Sequence, residues 1–296
     1  MKIRIACRES ELAQIQAKIV GEQLLGEFEA YELVLCSTFA DRKQDSTLAK
    51  LGGKGLFVKE VEQALLMQEA DIAVHSLKDM PVVQPVELPI VAISARESVH
   101  DVLIGANSLQ DLPENSTIGT CSPRRAFQLK LLRPDLNVVP IRGNINTRIA
   151  KIGNHGIQAI ILAEAGIIRA KKQMAYHKFT CDEMLPAAGQ GALAIQKRPD
   201  FSLAPSALKK IHNASTAAAV NSERAIVNYL GANCHSPLAV FADCLQNKKI
   251  IQVRAGDIHN SENCKFITEA DDFSAAVREM QVKIDKSIIR KILSNH

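Results

Sequence analysis

Short apolar runs and helical periodicities alternate along the chain. Ile3, Ile5 and Cys7 alternate with polar residues and predict a first strand. Leu12, Ile15, Ile19, Leu24 and Leu25 then recur at helical spacing, with Ser10 placed to cap that helix. Glu32 to Cys36 predicts a second strand, and Leu56 to Gln68 a helix that leads into the wholly apolar Ile72-Ala73-Val74. Strand, helix, strand is the opening of an α/β sheet. The same texture continues. Val86 to Ser94 is extended, Arg96 to Asp101 turns, and Ile118 ends a strand before a helix that runs through Leu132. Val138 to Ile141 and Gln158 to Leu162 predict further strands. Met184 to Gly191 predicts a turn and crossover, and Ala192 to Gln196 a strand. Residues 197 to 213 are polar and basic, predicting helix and loop. Thr216 to Leu230 predicts a helix, and Leu238–Leu245, Ile250–Ala255 and Lys265–Thr268 predict strands. Phe273 to Leu293 predicts one closing helix, completing a smaller α+β unit.

Charge gathers where the strand patterns stop. The stretch from Asp71 to Pro81 carries a buried strand straight into Ser76, Lys78 and Asp79, and Pro81 stops it. Carboxyl ends of buried strands are where open α/β sheets place their sites. One Lys-Asp pair there is equally readable as a surface ion pair. However, Arg8, Lys78, Arg124, Arg125, Arg142, Arg148 and Arg169 all follow predicted strand ends. Together they predict a cleft lined with cations, suited to a ligand with several carboxylates. At Ser122-Pro123-Arg124-Arg125 the free N–H groups of a helix start meet two guanidinium groups, an anion site or else a solvated basic helix start. Asp79 is the one acid in this set. It can stabilise a cation, or exchange protons if burial raises its pKa, while Lys78 pulls that pKa the other way.

Composition narrows the ligand. Aromatic residues make up 4% of the chain and Trp is absent, which argues against base stacking and sugar platforms. A net charge of +4 suits a small anionic ligand and is too weak to indicate nucleic acid. With 296 residues, 47% of them hydrophobic, the chain is long enough for two or three domains. The 7 cysteines are scattered without pairing spacing, so no disulfide framework is expected. The chain opens directly into a strand pattern and has no run long enough to span a bilayer. It therefore predicts a soluble protein of a reducing cytoplasm.

Residues 37 to 55 carry charges and glycines without periodicity and predict a long lid or binding loop. Gly52-Gly53-Lys54-Gly55 lacks the spacing and the Ser/Thr of a nucleotide loop. Cys234 lies in a loop at a helix end, where a thiol is a candidate nucleophile or covalent anchor; a buried spectator is the other reading. His235 is adjacent, but Cys234, His235 and Cys244 fit no strong metal pattern, and no metal is expected. Cys121, in a turn beside Arg124, is a second reactive candidate.

Several motifs together resemble one family. They are Leu48-Ala49-Lys50-Leu51-Gly52-Gly53-Lys54-Gly55-Leu56-Phe57-Val58-Lys59-Glu60 and Ala70-Asp71-Ile72-Ala73-Val74-His75-Ser76-Leu77-Lys78-Asp79, followed by Arg124-Arg125 and Leu132-Arg133-Pro134-Asp135-Leu136. Arg142-Gly143-Asn144, Thr147-Arg148 and Gly189-Gln190-Gly191-Ala192 complete the set. The chain resembles the porphobilinogen deaminases (hydroxymethylbilane synthases) of tetrapyrrole and heme biosynthesis, from residue 3 to about 240, with only the pattern matching beyond. The resemblance implies an α/β fold of two type II periplasmic-binding-protein-like domains with a third, smaller α+β domain. The implied divisions are 1-95 plus 190-213, with a mobile loop at 41-55; 98-187; and 214-296. It implies a transferase that condenses four porphobilinogens head to tail into hydroxymethylbilane, releasing four ammonias, on a dipyrromethane cofactor held by thioether to Cys234. Asp79 would be catalytic, holding pyrrole N–H groups and stabilising the cation left when ammonia departs. Cys234, Lys78, Ser76, Thr120, Ser122, Arg124, Arg125, Arg142, Asn144 and Gln190 would hold the cofactor. Arg8, Ser10, Lys50, Lys54, Arg148 and Arg169 would hold the substrate. A cytoplasmic monomer is implied, with no nucleic-acid or membrane partner.

The chain departs from the family pattern in three places. Thr38-Phe39-Ala40-Asp41 stands where the family has Thr-Arg-Gly-Asp, so an arginine is missing. Cys121-Ser122-Pro123-Arg124-Arg125 replaces Ser-Ser-Leu-Arg-Arg, and Ala232-Asn233-Cys234-His235-Ser236-Pro237 replaces Gly-Gly-Cys-Gln-Val-Pro. The rival reading is a non-catalytic binding module for a small polycarboxylate on the same two-lobed fold, which gives Cys234 and Asp79 no task.

Overall fold

Ile3, Ile5, Ala6 and Cys7 are all fully buried, so β1 (Lys2–Arg8) is covered on both faces rather than alternating. Parallel strands flanked by helices require this. The computed structural model describes residues 1–37, 58–233, 235–257 and 263–294. Two compact units are formed: Met1–Glu97 with Gly191–Ala217, and Ser98–Gln190 with Ala218–His296.

In the first unit, α1 (Glu11–Leu24) follows β1 and buries Ala17, Val20 and Leu24 against the sheet. Leu25, expected on that helix, lies beyond its end and is exposed. β2 (Ala30–Cys36) pairs parallel with β1. α2 (Lys59–Leu66) covers the other face through Val61, Ala64 and Leu65. β3 (Ile72–Ser76) lies on the far side of β1, and β4 (Ile90–Ile93) is at the edge.

The second unit opens with β5 (Asp101–Ile104), so the stretch read as a turn to Asp101 ends in a strand. β6 (Thr117–Gly119), α3 (Pro123–Leu132), β7 (Asn137–Val139), α4 (Ile145–Ile149), β8 (Ile157–Ala163), α5 (Glu164–Arg169) and β9 (His177–Lys178) follow. The chain then re-enters the first unit as β10 (Leu193–Lys197) and α6 (Pro205–Ile211).

The two larger sheets share one plan. Their orders are β2-β1-β3-β10-β4 and β7-β6-β8-β5-β9. In each, three parallel strands are followed by one antiparallel strand, β10 against β3 and β5 against β8. This is the type II periplasmic-binding-protein arrangement of an α/β fold. An antiparallel strand begins where its parallel neighbours end. Asp101 pairs with Ala163 and Leu193 with Ser76, which puts the start of β5 and of β10 at the carboxyl edge of each sheet.

α7 (Ala214–Leu230) leads to β11 (Leu238–Leu245), β12 (Lys248–Gly256) and β13 (Asn263–Ala270), an antiparallel three-stranded sheet. In the second unit this sheet packs on α3. A Cβ on Gly256 would stand 2.5 Å from the Phe127 ring, a contact only glycine permits. The single closing helix expected over Phe273 to Leu293 is instead α8 (Phe273–Lys283) and α9 (Lys286–Ser294). Ile284 turns extended, and Asp285 Oδ1 accepts from Ser287 N at 2.8 Å, restarting the helix. Ile284, Ile289 and Ile292 are all buried, so the break serves the packing.

Candidate functional site

In the first unit the adjacent parallel strands β1 and β3 deliver Arg8, Ser10, Ser76, Lys78 and Asp79 to one edge. After Ser76 the backbone makes a single tight turn over Leu77–Asp79. Leu77 N donates to Ala192 O at 3.0 Å and Met80 N to Leu77 O at 3.1 Å. The side chains of Leu77 and Met80 are buried, which pins the turn and leaves Lys78 and Asp79 half-exposed between them. Among the described residues, no side chain or backbone donor hydrogen-bonds or ion-pairs with the Asp79 carboxylate. Ser76 Oγ lies 3.0 Å from Gln16 Nε2. Ser10 stands at the N-cap of α1, but its side chain makes no cap hydrogen bond, contrary to the capping expected from sequence. Behind this edge His75 is buried, and its Nε2 has no hydrogen-bond partner. Burial, with Arg8 nearby, pulls its pKa down to about 4, an effect that Gln196, as an acceptor, opposes, so the imidazole is neutral.

In the second unit the arginines divide. Arg124 and Arg125 were expected to meet anions at a helix start. They are 4% and 6% exposed, so neither makes the solvated basic helix start that was the other reading. Both reach Asp101, which is fully buried: Arg124 Nη1 lies 2.7 Å from Asp101 Oδ2 and Arg125 Nη2 2.7 Å from Oδ1. Arg125 also donates from Nε to Asp101 and from Nη1 to Ile161 O, both at 3.0 Å. Arg124 donates from Nη1 to Leu185 O at 2.7 Å. Burial lowers the Arg124 pKa, and Asp101 opposes that loss. Pro123 opens α3, and Ser122 caps it by accepting from Arg125 N at 3.5 Å. Thr120, buried, accepts at Oγ1 from Ser122 N. Gln190, expected at the cofactor, is fully buried and donates to Val99 O at 2.7 Å and Asp101 Oδ1 at 3.1 Å. It stands behind the arginines.

Arg142, Arg148 and Arg169 are half-buried at the same carboxyl edge. Arg142's guanidinium makes no hydrogen bond or ion pair with the described residues. Arg148 Nε donates to Gly143 O at 2.7 Å. Gly143 has φ +113°, and a Cβ there would meet Thr147 Cγ2 at 2.7 Å, so only glycine fits between Arg142 and Asn144. Asn144 caps α4, accepting at Oδ1 from Thr147 N and Thr147 Oγ1, both at 2.9 Å. Cys121 is exposed, its Sγ 3.1 Å from Ile141 O.

Cys234, Lys50 and Lys54, with the loop expected at 41-55, lie outside the described residues. The residues flanking position 234 brace one another. His235 N donates to Asn233 Oδ1 at 2.8 Å, and Asn233 N to Ser236 Oγ at 3.0 Å. Asn233 and Ser236 are thus two of the departures from the family pattern, and here they make the turn.

Two fully buried acids, Asp101 and Glu223, have no role assigned from the sequence. Asp101 heads the wholly apolar Val102-Leu103-Ile104, and an acid opening such a run in a chain with paired arginines was the available signal. Glu223, fully buried on α7, accepts from Gly189 N at 2.7 Å and Ala242 N at 2.9 Å. It ties the turn before Gln190 to the three-stranded sheet. Its only sequence signal was an acid on the apolar face of a helix.

The residues fit a dipyrromethane with acetate and propionate side chains. Among the described residues the Arg142 guanidinium and the Asp79 carboxylate are without partners, a donor and an acceptor of the kinds that the carboxylates and N–H groups of such a molecule match. The model of the "Porphobilinogen deaminase, dipyromethane cofactor binding domain" matches residues 3–203, and that of the "Porphobilinogen deaminase, C-terminal domain" matches residues 217–287. The chain is 38% identical over 298 residues to the porphobilinogen deaminase of Clostridioides difficile strain 630, covering 98% of each chain. It is 39% identical over 252 residues to that of Clostridium acetobutylicum, covering 84% of this chain and 86% of the relative. With the porphobilinogen deaminase of Clostridium botulinum strain Loch Maree it shares 42% identity over 254 residues, covering 83% and 86%. An acid left open at one sheet edge, guanidinium groups ranked along another and matches over nearly the whole sequence agree: this chain belongs to the porphobilinogen deaminase family.

Proposed function

We propose that Asp79 is the catalytic carboxylate of a transferase that joins four porphobilinogens head to tail, releasing four ammonias, with one water consumed to release the product as hydroxymethylbilane. The observation that carries this assignment is the half-exposed Asp79 carboxylate, pinned by Leu77 and Met80 and left without a donor among the described residues. Positive charge develops on porphobilinogen as ammonia leaves, and a fixed carboxylate stabilises it without reorganising at the moment of reaction. Lys78, Arg8 and Ser10 on the same edge hold substrate and cofactor carboxylates. Arg142, Arg148 and Arg169 do so in the second unit, together with Arg124. When bound through Cys234, the dipyrromethane supplies the pyrrole carbon that accepts the first ring. Thr120, Ser122 and Asn144 shape the backbone that carries these cations, and Arg125 and Gln190 hold it from behind.

The proposed division of labour is 1-95 plus 190-213 for the acid, 98-187 for the arginines and 214-296 for the cofactor cysteine. No helix among the described residues is long and apolar enough to cross a membrane. The cysteines other than Cys234 are free thiols, and burial pushes Cys7 up to about 12 and Cys36 up to about 11. Unpaired thiols suit a reducing cytoplasm, and we place the protein there.

Asp79→Ala tests the assignment. Ammonia release from porphobilinogen should fall by about 100-fold or more, the scale of losing a main transition-state contact, with the thermal transition unchanged. Turnover within a few-fold of wild type would remove Asp79 from the chemistry.

A further inference from the structure

We propose that Asp101 is the positioning residue for the cofactor-binding edge of the second unit: one buried carboxylate sets the direction in which Arg124 offers its remaining donors. The inference rests on the reading of Arg124 as a cofactor contact and adds a group that does not itself touch the ligand.

Asp101 is fully buried at the first position of β5. Because β5 is antiparallel to β8, that position falls at the carboxyl edge, where Ala163 is its partner. Arg125, Arg124 and Gln190 converge on it. Arg125 approaches with Nε at 3.0 Å and Nη2 at 2.7 Å, a two-pronged pairing with one oxygen. Arg124 Nη1 lies 2.7 Å from the other oxygen, and Gln190 Nε2 donates to the first at 3.1 Å.

The two arginines end in different states. Arg125 has Nε, Nη1 and Nη2 all turned to protein acceptors. Arg124 commits only Nη1, to Asp101 and Leu185 O. Its Nε and Nη2 donate to nothing among the described residues. A guanidinium is planar, so the hydrogen bond from Nη1 to Leu185 O and the ion pair of the same nitrogen with Asp101 Oδ2 together set its plane and aim the opposite edge. Buried arginines side by side also repel, and Asp101 is the counter-charge to both. Its loss therefore removes the orientation and leaves two buried cations facing each other. Gln128 holds the same frame from the helix side, donating to Leu185 O at 3.1 Å while accepting from Leu185 N at 2.8 Å.

Cofactor loading of the full-length chain, produced without porphobilinogen and then supplied with it, is read by intact mass over time. Asp101→Asn keeps the shape and removes the charge. We expect it to load at least about tenfold more slowly than wild type, with a native far-UV spectrum. Asp101→Glu keeps the charge and is the second variant should Asp101→Asn fail to fold. It should load at a rate between the two, because its carboxylate cannot hold both arginines in the same plane. Loading at the wild-type rate in either folded variant overturns the proposal. A double-mutant cycle separates positioning from plain stability. In an Arg124→Leu background, Asp101→Asn should slow loading little further, since the group it positions is gone. Full additivity overturns the positioning role. Normal loading by Arg124→Leu alone would overturn the reading of Arg124 as a cofactor contact, and the proposal with it. Normal loading by the Asp101 variants alone would leave that reading standing.

Discussion

Arg142 and Arg125 carry the same side chain at successive strand ends, and their surroundings give them opposite tasks. Arg142 keeps its guanidinium open among the described residues, whereas all three nitrogens of the Arg125 guanidinium are turned to Asp101 and Ile161 O. The sequence shows that both follow strands. It does not show which faces inward, because that depends on Asp101, 24 residues earlier and placed by an antiparallel strand. Asp79 was legible for the opposite reason: its position follows from the local run of apolar strand, tight turn and proline. His75 offers a pH test at this scale. Its folded pKa is lowered from 6.5 to about 4. Below pH 6.5 the unfolded chain therefore takes up a proton first. The stability His75 contributes is complete above about pH 6.5 and is lost as pH falls towards about 4. His75→Gln cannot titrate. Urea unfolding of wild type should lose on the order of 3 kcal/mol more than the variant across that window. Parallel stability curves would contradict the buried neutral imidazole.

At the scale of elements, most strands and helices followed from periodicity, and the exceptions have physical causes. β5 is four residues long and headed by a charged residue, so it carried too little pattern to separate from the preceding turn. The closing helix divided because Asp285 can cap a new start, and an apolar periodicity that runs on either side hides such a break. α4 shows how an element serves the site. It has five residues, holds Arg148, and begins at Asn144, whose side chain caps it. Losing an N-cap costs about 1 kcal/mol. Asn144→Ala should lower the thermal midpoint and slow ring addition several-fold through Arg148. Asn144→Ser restores a cap oxygen, so both should recover most of the way. Equal loss of ring addition in the serine and alanine variants would show that the amide acts on the ligand directly, not through the helix.

Across the whole molecule, two sheets of the same order each present a carboxyl edge with its own set of polar groups. The first supplies an acid and the second an array of guanidinium groups. The three-stranded sheet packs behind α3 through Gly256 and Phe127, and Glu223 on α7 ties it to the turn before Gln190. This plan was legible from the repetition of strand and helix and from the cations at strand ends. The acids that organise it from inside were not legible, since a buried carboxylate and a solvated one look alike in a sequence. The proposed chemistry requires a cofactor anchored at Cys234 from which rings are added singly. Intact mass spectrometry of the full chain purified from cells that make porphobilinogen tests this most directly. Wild type should exceed its sequence mass of 32.3 kDa by one dipyrromethane, and Cys234→Ser should not. Brief exposure to porphobilinogen should add a ladder of one, two and three further rings to wild type alone. An unmodified wild-type chain, or the same added mass on Cys234→Ser, would contradict the account.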